Sequence, residues 1–249
     1  MEELRNHHSA IAPALRFYQA ILECQSTLSN GSKKAFVPAV PLRQQIDLDE
    51  ALRGLSAIIE VSAKAGSGLI RERARTLQEK QGDWEALINS GFQTAPEDHK
   101  GDVEEFLVRA SLQPLAENLQ LQSPNDPNYN LNRCPACGGL PQLAVLRPEG
   151  EGALRSLLCS FCLREWNFRR IVCPFCGQED RDRLPRFSSQ ECTYVHVEAC
   201  DACKSYMKAI DLSVDGHAVP LVDEAALAVL DVWAASKGYE KLVPNLIGF

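Results

Sequence analysis

The chain has 249 residues, 45% of them hydrophobic, and a formal net charge of −7. That length accommodates one large domain or two small ones around a real core, while the acidic balance disfavours a general binder of nucleic acid or of an anionic membrane. No run approaches the roughly 18 apolar residues of a membrane span. The opening MEELRNHHSAIAPALRFYQA has neither a long apolar segment nor a small-residue cleavage site. A soluble intracellular protein is therefore expected. Its ten cysteines need a reason, because a reducing compartment disfavours structural disulfides; metal binding is the leading explanation.

Residues 1–122 read as a helical domain. Phe17, Ile21, Cys24 and Leu28 recur at helical spacing, as do Leu48, Leu52, Leu55 and Ile59. Asp47, with Glu50 three residues on, is an N-cap signal for the second of these helices. A third helix is expected over Leu69–Lys80, its arginines Arg71, Arg73 and Arg75 on a solvated face. A fourth starts near Asp102 with Val103, Phe106, Leu107 and Ala110 inward, and Pro114 is expected to kink or interrupt it. SPNDPNYN, 123–130, is a linker by its prolines and asparagines. The pair His7-His8 is too short for a metal tract and reads as a solvated end.

Beyond the linker the pattern turns to short strands: LPQLAVL (140–146), ALRSLLC (153–159), EWNFRRIV (165–172), TYVHVEA (193–199) and YMKAIDL (206–212). DEAALAVLDVWAASK, 223–237, predicts a closing helix begun by Asp223 and stopped at Gly238. Among the strands stand four Cys-x-x-Cys knuckles: Cys134/Cys137, Cys159/Cys162, Cys173/Cys176 and Cys200/Cys203, separated by 21, 10 and 23 residues. Four thiolates make a closed tetrahedral site for zinc or iron. Each long gap can hold a hairpin, and the first carries PEGEG at its middle. The ten-residue gap has no turn signal and, extended, reaches roughly 33 Å. The expected pairing is sequential: Cys134, Cys137, Cys159 and Cys162 at site 1, and Cys173, Cys176, Cys200 and Cys203 at site 2. A crossed pairing is the alternative. This divides the C-terminal half into a first metal ribbon, 131–178, and a second, 171–221, sharing a strand over 163–172, with a helix and tail over 222–249.

CPACG and CPFCG place proline after the first cysteine and glycine after the second, which suits a tight turn that aims backbone N–H groups at sulfur. Cys24 reads as a core thiol, Cys192 as a free thiol and His196 as a strand-surface histidine. Two zinc tetrathiolates would carry −2 each and take the chain to about −11. Arg164, Arg169, Arg170, Arg181, Arg183 and Arg186 cluster around the middle knuckles but are interleaved with Glu165, Glu179, Asp180 and Asp182, which disfavours nucleic acid as a partner. No phosphate loop, nucleophile elbow or His-Glu-x-x-His motif is present, so an enzyme is not expected.

CPACGGLP (134–141), CSFCLREWNFRRIVCPFCG (159–177) and EACDACKSYMKAID (198–211), with EEFLVRASLQPLAENL (104–119) before the linker and the closing GYEKLVPNLIGF, resemble the formate dehydrogenase accessory protein family, FdhE. Four knuckles in this order, with Glu165-Trp166 after the second and Tyr206-x-Lys208-x-x-Asp211 after the fourth, carry the likeness. The chain departs from the family in a shorter N-terminal region and in Gly-Gly-Leu-Pro after the first knuckle. The resemblance implies an α+β fold: a helical N-terminal domain, two rubredoxin-like or zinc-ribbon-like tetrathiolate modules and a C-terminal helix. It further implies two iron (or zinc) ions per chain. The protein would be a non-enzymatic cytoplasmic assembly factor that binds the catalytic subunit of a molybdenum- or tungsten-dependent formate dehydrogenase. Glu165, Trp166, Arg169, Arg170, Tyr206 and Lys208 are then candidates for the partner surface, although Trp166 and Tyr206 would equally serve to pack small ribbon cores. A zinc-ribbon protein of transcription or translation and a small iron electron carrier are the alternative readings.

Overall fold

The computed structural model describes residues 2–28, 34–35, 37, 40, 42–79, 82–91, 102–120 and 129–246; the side chains of His7 and His8 and most of the 123–130 linker lie outside them. The N-terminal part comprises α1 (Glu2–Leu28), β1 (Lys34–Ala35), α2 (Leu42–Gln45), α3 (Leu48–Ala65), α4 (Gly68–Glu79), α5 (Trp84–Gly91), α6 (Val103–Asn118) and β2 (Leu119–Gln120). Asp47 caps α3, its carboxylate accepting from the Glu50 N–H at 2.9 Å, and Asp102 caps α6 through the Glu104 N–H at 2.7 Å. Phe17 and Ile21 of α1, Leu55, Ile58 and Ile59 of α3, and Leu107 of α6 meet in one apolar core. Cys24 packs against it half-buried, as its place on the apolar stripe requires.

Pro114 does not interrupt α6, which runs unbroken from Val103 to Asn118. Proline cannot donate to the carbonyl four residues back, and that carbonyl, Ala110 O, accepts instead from Gln25 Nε2 of α1 at 2.8 Å. The same amide donates to Gln113 Oε1 at 3.1 Å, and Gln113 Nε2 donates to the Ser160 carbonyl at 3.2 Å. The compensation for one proline thus ties α1 to α6 and α6 to the second knuckle.

The C-terminal part contains β3 (Pro141–Glu149), β4 (Gly152–Cys159), β5 (Glu165–Asn167), β6 (Arg186–Ser188), β7 (Val195–Ala199), β8 (Ser205–Asp211), α7 (Pro220–Ala226), α8 (Ala228–Ser236) and β9 (Glu240–Lys241). Among the described residues these strands form one seven-stranded sheet in the order β5-β4-β3-β8-β7-β6, with β9 paired to β8. It is two antiparallel three-strand meanders joined edge to edge by the parallel pair β3–β8, Ala144 opposite Ala209. Each meander has the same plan of knuckle, hairpin, knuckle and strand. The strand expected over 163–172 is only Glu165–Asn167; the chain then leaves the sheet and turns into the third knuckle.

The closing helix expected over 223–237 is two helices that break at Leu227 (φ −99°, ψ 37°). The cause is Lys208, which reaches from β8 into the helical ladder. Its ammonium donates to the Glu224 carbonyl, which a continuous helix would offer to residue 228. Lys208 is fully buried, with Asp231 Oδ2 at 2.6 Å and Glu224 Oε1 at 3.2 Å. Lys241 of β9 pairs with the same two carboxylates, Asn245 Nδ2 donates to Glu224 Oε2 at 2.8 Å, and the Tyr206 hydroxyl donates to Asp231 Oδ1 at 2.8 Å. Burial works against the charge of Glu224, but Lys241 and Lys208 bring its carboxyl down to about 2. Two ammonium groups and two carboxylates therefore neutralise one another inside the protein and fasten α7, α8 and β9 to the sheet.

Two outcomes follow for stability. Gln25→Leu leaves the Ala110 carbonyl buried without a donor and is expected to cost about 1–3 kcal/mol in urea denaturation. Lys208→Met leaves two buried carboxylates facing one cation and is expected to cost roughly 3–5 kcal/mol; a loss within error of zero in either variant would contradict the corresponding account.

Candidate metal centres

Each knuckle is built by the same short backbone programme. The N–H of the first cysteine donates to the carbonyl five residues on: Cys134 to Gly139, Cys159 to Arg164, Cys173 to Gln178 and Cys200 to Ser205, all at 2.8–2.9 Å. The residue after the second cysteine is left-handed every time: Gly138 at φ 75°, Leu163 at 55°, Gly177 at 74° and Lys204 at 59°. Glycine adopts this conformation freely and other residues at a cost of about 1–2 kcal/mol, so the two non-glycine knuckles hold a strained residue. The turn directs N–H groups at sulfur: Gly139 N to Cys137, Phe161 N to Cys159 and Phe175 N to Cys173, each at 3.4 Å.

Pairs of knuckles converge in the sequential arrangement. The sulfurs of Cys134, Cys137, Cys159 and Cys162 lie within 4.8 Å of one another, and so do those of Cys173, Cys176, Cys200 and Cys203. The closest contacts are Cys137–Cys159 at 3.4 Å and Cys134–Cys162 at 3.5 Å in the first group, and 3.7 Å for both Cys173–Cys203 and Cys176–Cys200 in the second. These separations are far beyond a disulfide bond. They match the edge of a tetrahedron around an ion 2.3 Å from each sulfur, about 3.8 Å.

The thiols within each group act on one another electrostatically. Hydrogen bonds from Cys137, Cys159 and Cys162 pull the Cys134 thiol far below the ordinary range. Burial first, and the neighbouring thiols second, push Cys159 far up; in the second group burial raises Cys173 and Cys176. One thiolate is stabilised by its neighbours, and further ones are opposed by burial and by the charge already present. A cation at the centre removes that opposition. Each group can hold one metal ion, and with four thiolates the coordination is closed.

The two centres differ in exposure. In the first, Cys134, Cys159 and Cys162 are buried and share the apolar core of the helices. In the second, Cys176 is exposed and Cys203 half-buried.

The six residues proposed for a partner surface separate. Trp166, Tyr206 and Lys208 are buried, and a partner cannot reach them. Trp166 packs in the core with its indole N–H donating to the Leu131 carbonyl at 3.1 Å, and Tyr206 and Lys208 belong to the buried charge cluster. Glu165 is half-buried and held by Arg147 at 2.7 Å and by the Ser156 hydroxyl. Arg169 pairs with Glu179 at 2.7 Å with both side chains exposed, and Arg170 is exposed. His196 is half-buried on β7 with Nε2 3.7 Å from Asp211 Oδ2, and burial lowers its pKa. Cys192 is half-buried and outside both sulfur groups.

The family model described as FdhE, central domain, matches residues 133–170, and that described as FdhE, C-terminal domain, matches 171–247. A protein named Protein FdhE homolog from Aquifex aeolicus is 29% identical over an alignment covering 100% of this chain and 87% of that protein. Its namesake from Pseudomonas aeruginosa is 37% identical over 46% of this chain and 38% of that protein, so there the likeness spans well under half of the relative. The crystal structure of the FdhE protein from Pseudomonas aeruginosa shares the fold, with a TM-score of 0.61 at 24% identity over 91% of this chain and 86% of that one. The two adjoining domain matches take in all eight knuckle cysteines, and the full-length alignment continues through the helices: the chain is similar to FdhE proteins along its whole length.

Proposed function

We propose that the protein is a non-catalytic assembly factor that binds the catalytic subunit of a molybdenum- or tungsten-dependent formate dehydrogenase while that subunit matures. The observation that carries this reading is the pair of closed four-cysteine centres in the two FdhE domains. A closed tetrathiolate leaves no coordination position for a substrate, so its metal shapes and stiffens the protein. Cys134, Cys137, Cys159 and Cys162 would hold one iron or zinc ion, and Cys173, Cys176, Cys200 and Cys203 the other. A bound ion supplies positive charge that lets the thiolates ionise together. The partner surface is placed beside these modules, where Arg169 and Arg170 are exposed.

A second reading, a small electron carrier, draws on the exposed Cys176, because outer-sphere transfer needs an accessible edge of the centre. Reversible bleaching of a visible absorption band on chemical reduction would favour it; a colourless zinc protein would remove it.

Metal removal is expected to follow the exposure of the sulfurs. Stepwise chelation should release the second ion before the first, and amides of residues 173–205 should lose exchange protection before those of 134–164. Native mass spectrometry combined with hydrogen exchange reads both. Release of the buried first centre ahead of the second would refute the assignment.

For the partner, the tagged protein recovered from its own cells under reducing conditions is expected to retain a formate dehydrogenase catalytic subunit. A captured fraction from formate dehydrogenase-producing cells that lacks this subunit would reject the assembly role.

A further inference from the structure

A pocket of about 450 Å³ opens beside the second centre, with Cys173 and Cys200 in its wall. Its chemistry runs against that of the chain. Four arginines line it, Arg155, Arg170, Arg181 and Arg186, against a single carboxylate, Glu198, in a protein whose formal charge is −7.

The four do not stand equally. Arg155 is almost wholly buried; Nε and Nη2 donate to Glu198 Oε2 at 3.1 and 2.7 Å, and Nη1 donates to the Arg169 carbonyl at 3.0 Å. It is fixed, and its charge is met by Glu198. Arg186 lies 3.7 Å from Asp211 Oδ2. Arg170 and Arg181 are exposed, and among the described residues no carboxylate comes within salt-bridge reach of either. Among the described residues the guanidinium of Arg170 makes one hydrogen bond, Nη1 donating to the Ala153 carbonyl at 3.3 Å. The pocket therefore offers two guanidinium forks, each able to take a carboxylate in two parallel hydrogen bonds.

Apolar surface stands next to these forks. Ile171 and Phe175 line the same pocket with relative exposures of 48% and 46%. Large apolar side chains exposed together beside unpaired cations mark a place for a ligand that is apolar and anionic at once.

We propose that this pocket binds an acidic peptide segment, seating an apolar side chain against Ile171 and Phe175 while flanking carboxylates pair with Arg170 and Arg181. A peptide is the occupant because the ligand must span two separate arginines and an apolar rim, and alternating acidic and apolar residues supply that spacing. The identity of the segment as part of a client rests on the assembly role proposed above. Binding at this place puts the client against the knuckle of the more exposed metal centre.

The test is fluorescence anisotropy with the full metal-loaded chain and a labelled decapeptide alternating glutamate and leucine. Two control peptides replace every glutamate by lysine or every leucine by serine. The acidic apolar peptide is expected to bind saturably and at least tenfold more tightly than either control. Arg170→Glu with Arg181→Glu should weaken it at least tenfold with both metals retained. Ile171→Ser should weaken it several-fold, and as an uncharged change at an exposed site it keeps the proposal testable should the double variant fail to fold. Equal binding of the lysine peptide, or wild-type affinity in the folded double variant, overturns the proposal. Loss of the second metal from a folded double variant also overturns it, since the arginines then serve the thiolates. Displacement of the peptide by micromolar glutarate at constant ionic strength assigns the pocket to small organic acids and overturns it as well. A double variant that loses the peptide but still captures a formate dehydrogenase subunit removes the client from this pocket and leaves the assembly role intact. A wild-type protein that binds the peptide but captures no such subunit does the reverse.

Discussion

Four sulfurs held within 4.8 Å of one another set the condition that the rest of the C-terminal half must meet. In such a group one thiolate is welcome and a fourth is not, because each added charge enters a partly buried site already negative. Knuckle, hairpin and sheet geometry bring the sulfurs together, and a cation at the centre would let them remain there as thiolates. Small strand modules bury too little apolar surface to be secure by themselves, and a metal ion held at each group would add its binding free energy to that of folding. The backbone makes its own contribution through N–H groups aimed at sulfur, and it accepts a left-handed residue after every second cysteine to do so. Lys204, which keeps that conformation at φ 59° while pairing with Asp201 at 2.6 Å, shows that the turn is required even where glycine is not supplied.

The two modules are copies of one plan, yet they become different through their neighbours. The first sits against the helices and shares their core. Gln113, beside Pro114 on α6, reaches the carbonyl of Ser160 inside a knuckle, so helix and knuckle support each other. The sulfurs of the second module lie outside that core, and one of them is open to solvent. The parallel β3–β8 pair joins the modules into a single sheet, and the buried pairing of Lys208 and Lys241 with Glu224 and Asp231 clamps the last helices on that junction. Removal of any one member would strand a charge, which gives the cluster more weight in keeping this arrangement than its net contribution to stability suggests.

Much of this was legible in the chain because it is local. Knuckle spacings of 21, 10 and 23 residues foreshadow which thiols meet, and Asp47 and Asp102 mark helix starts by short-range hydrogen bonds. What escaped sequence reasoning depends on partners far along the chain. Pro114 signals a break, and nothing near it reveals that Gln25, 85 residues away, supplies the missing donor. Lys208 alternates along β8 as an ordinary surface lysine would, and its burial is set by two carboxylates on helices that follow. Tyr206 and Trp166 looked equally suited to a surface or a core until the sheet and the helices closed over them. The edge-to-edge parallel pairing has no turn to announce it, since parallel strands need not be close in sequence.

Two modules of one plan with unequal burial separate two requirements that conflict in a single site. A centre that must hold the fold gains from exclusion of water, from packing on a core and from neighbours that do not move. A surface that must meet another protein needs exposed groups whose own pairings are incomplete. Here Cys134, Cys159 and Cys162 lie inside the core of the molecule, while among the described residues Arg170 and Arg181 pair with no carboxylate and Ile171 and Phe175 are exposed around the second centre. The first centre can anchor the helices because nothing needs to approach it. The second can present an open edge because the shared sheet already holds its strands in register.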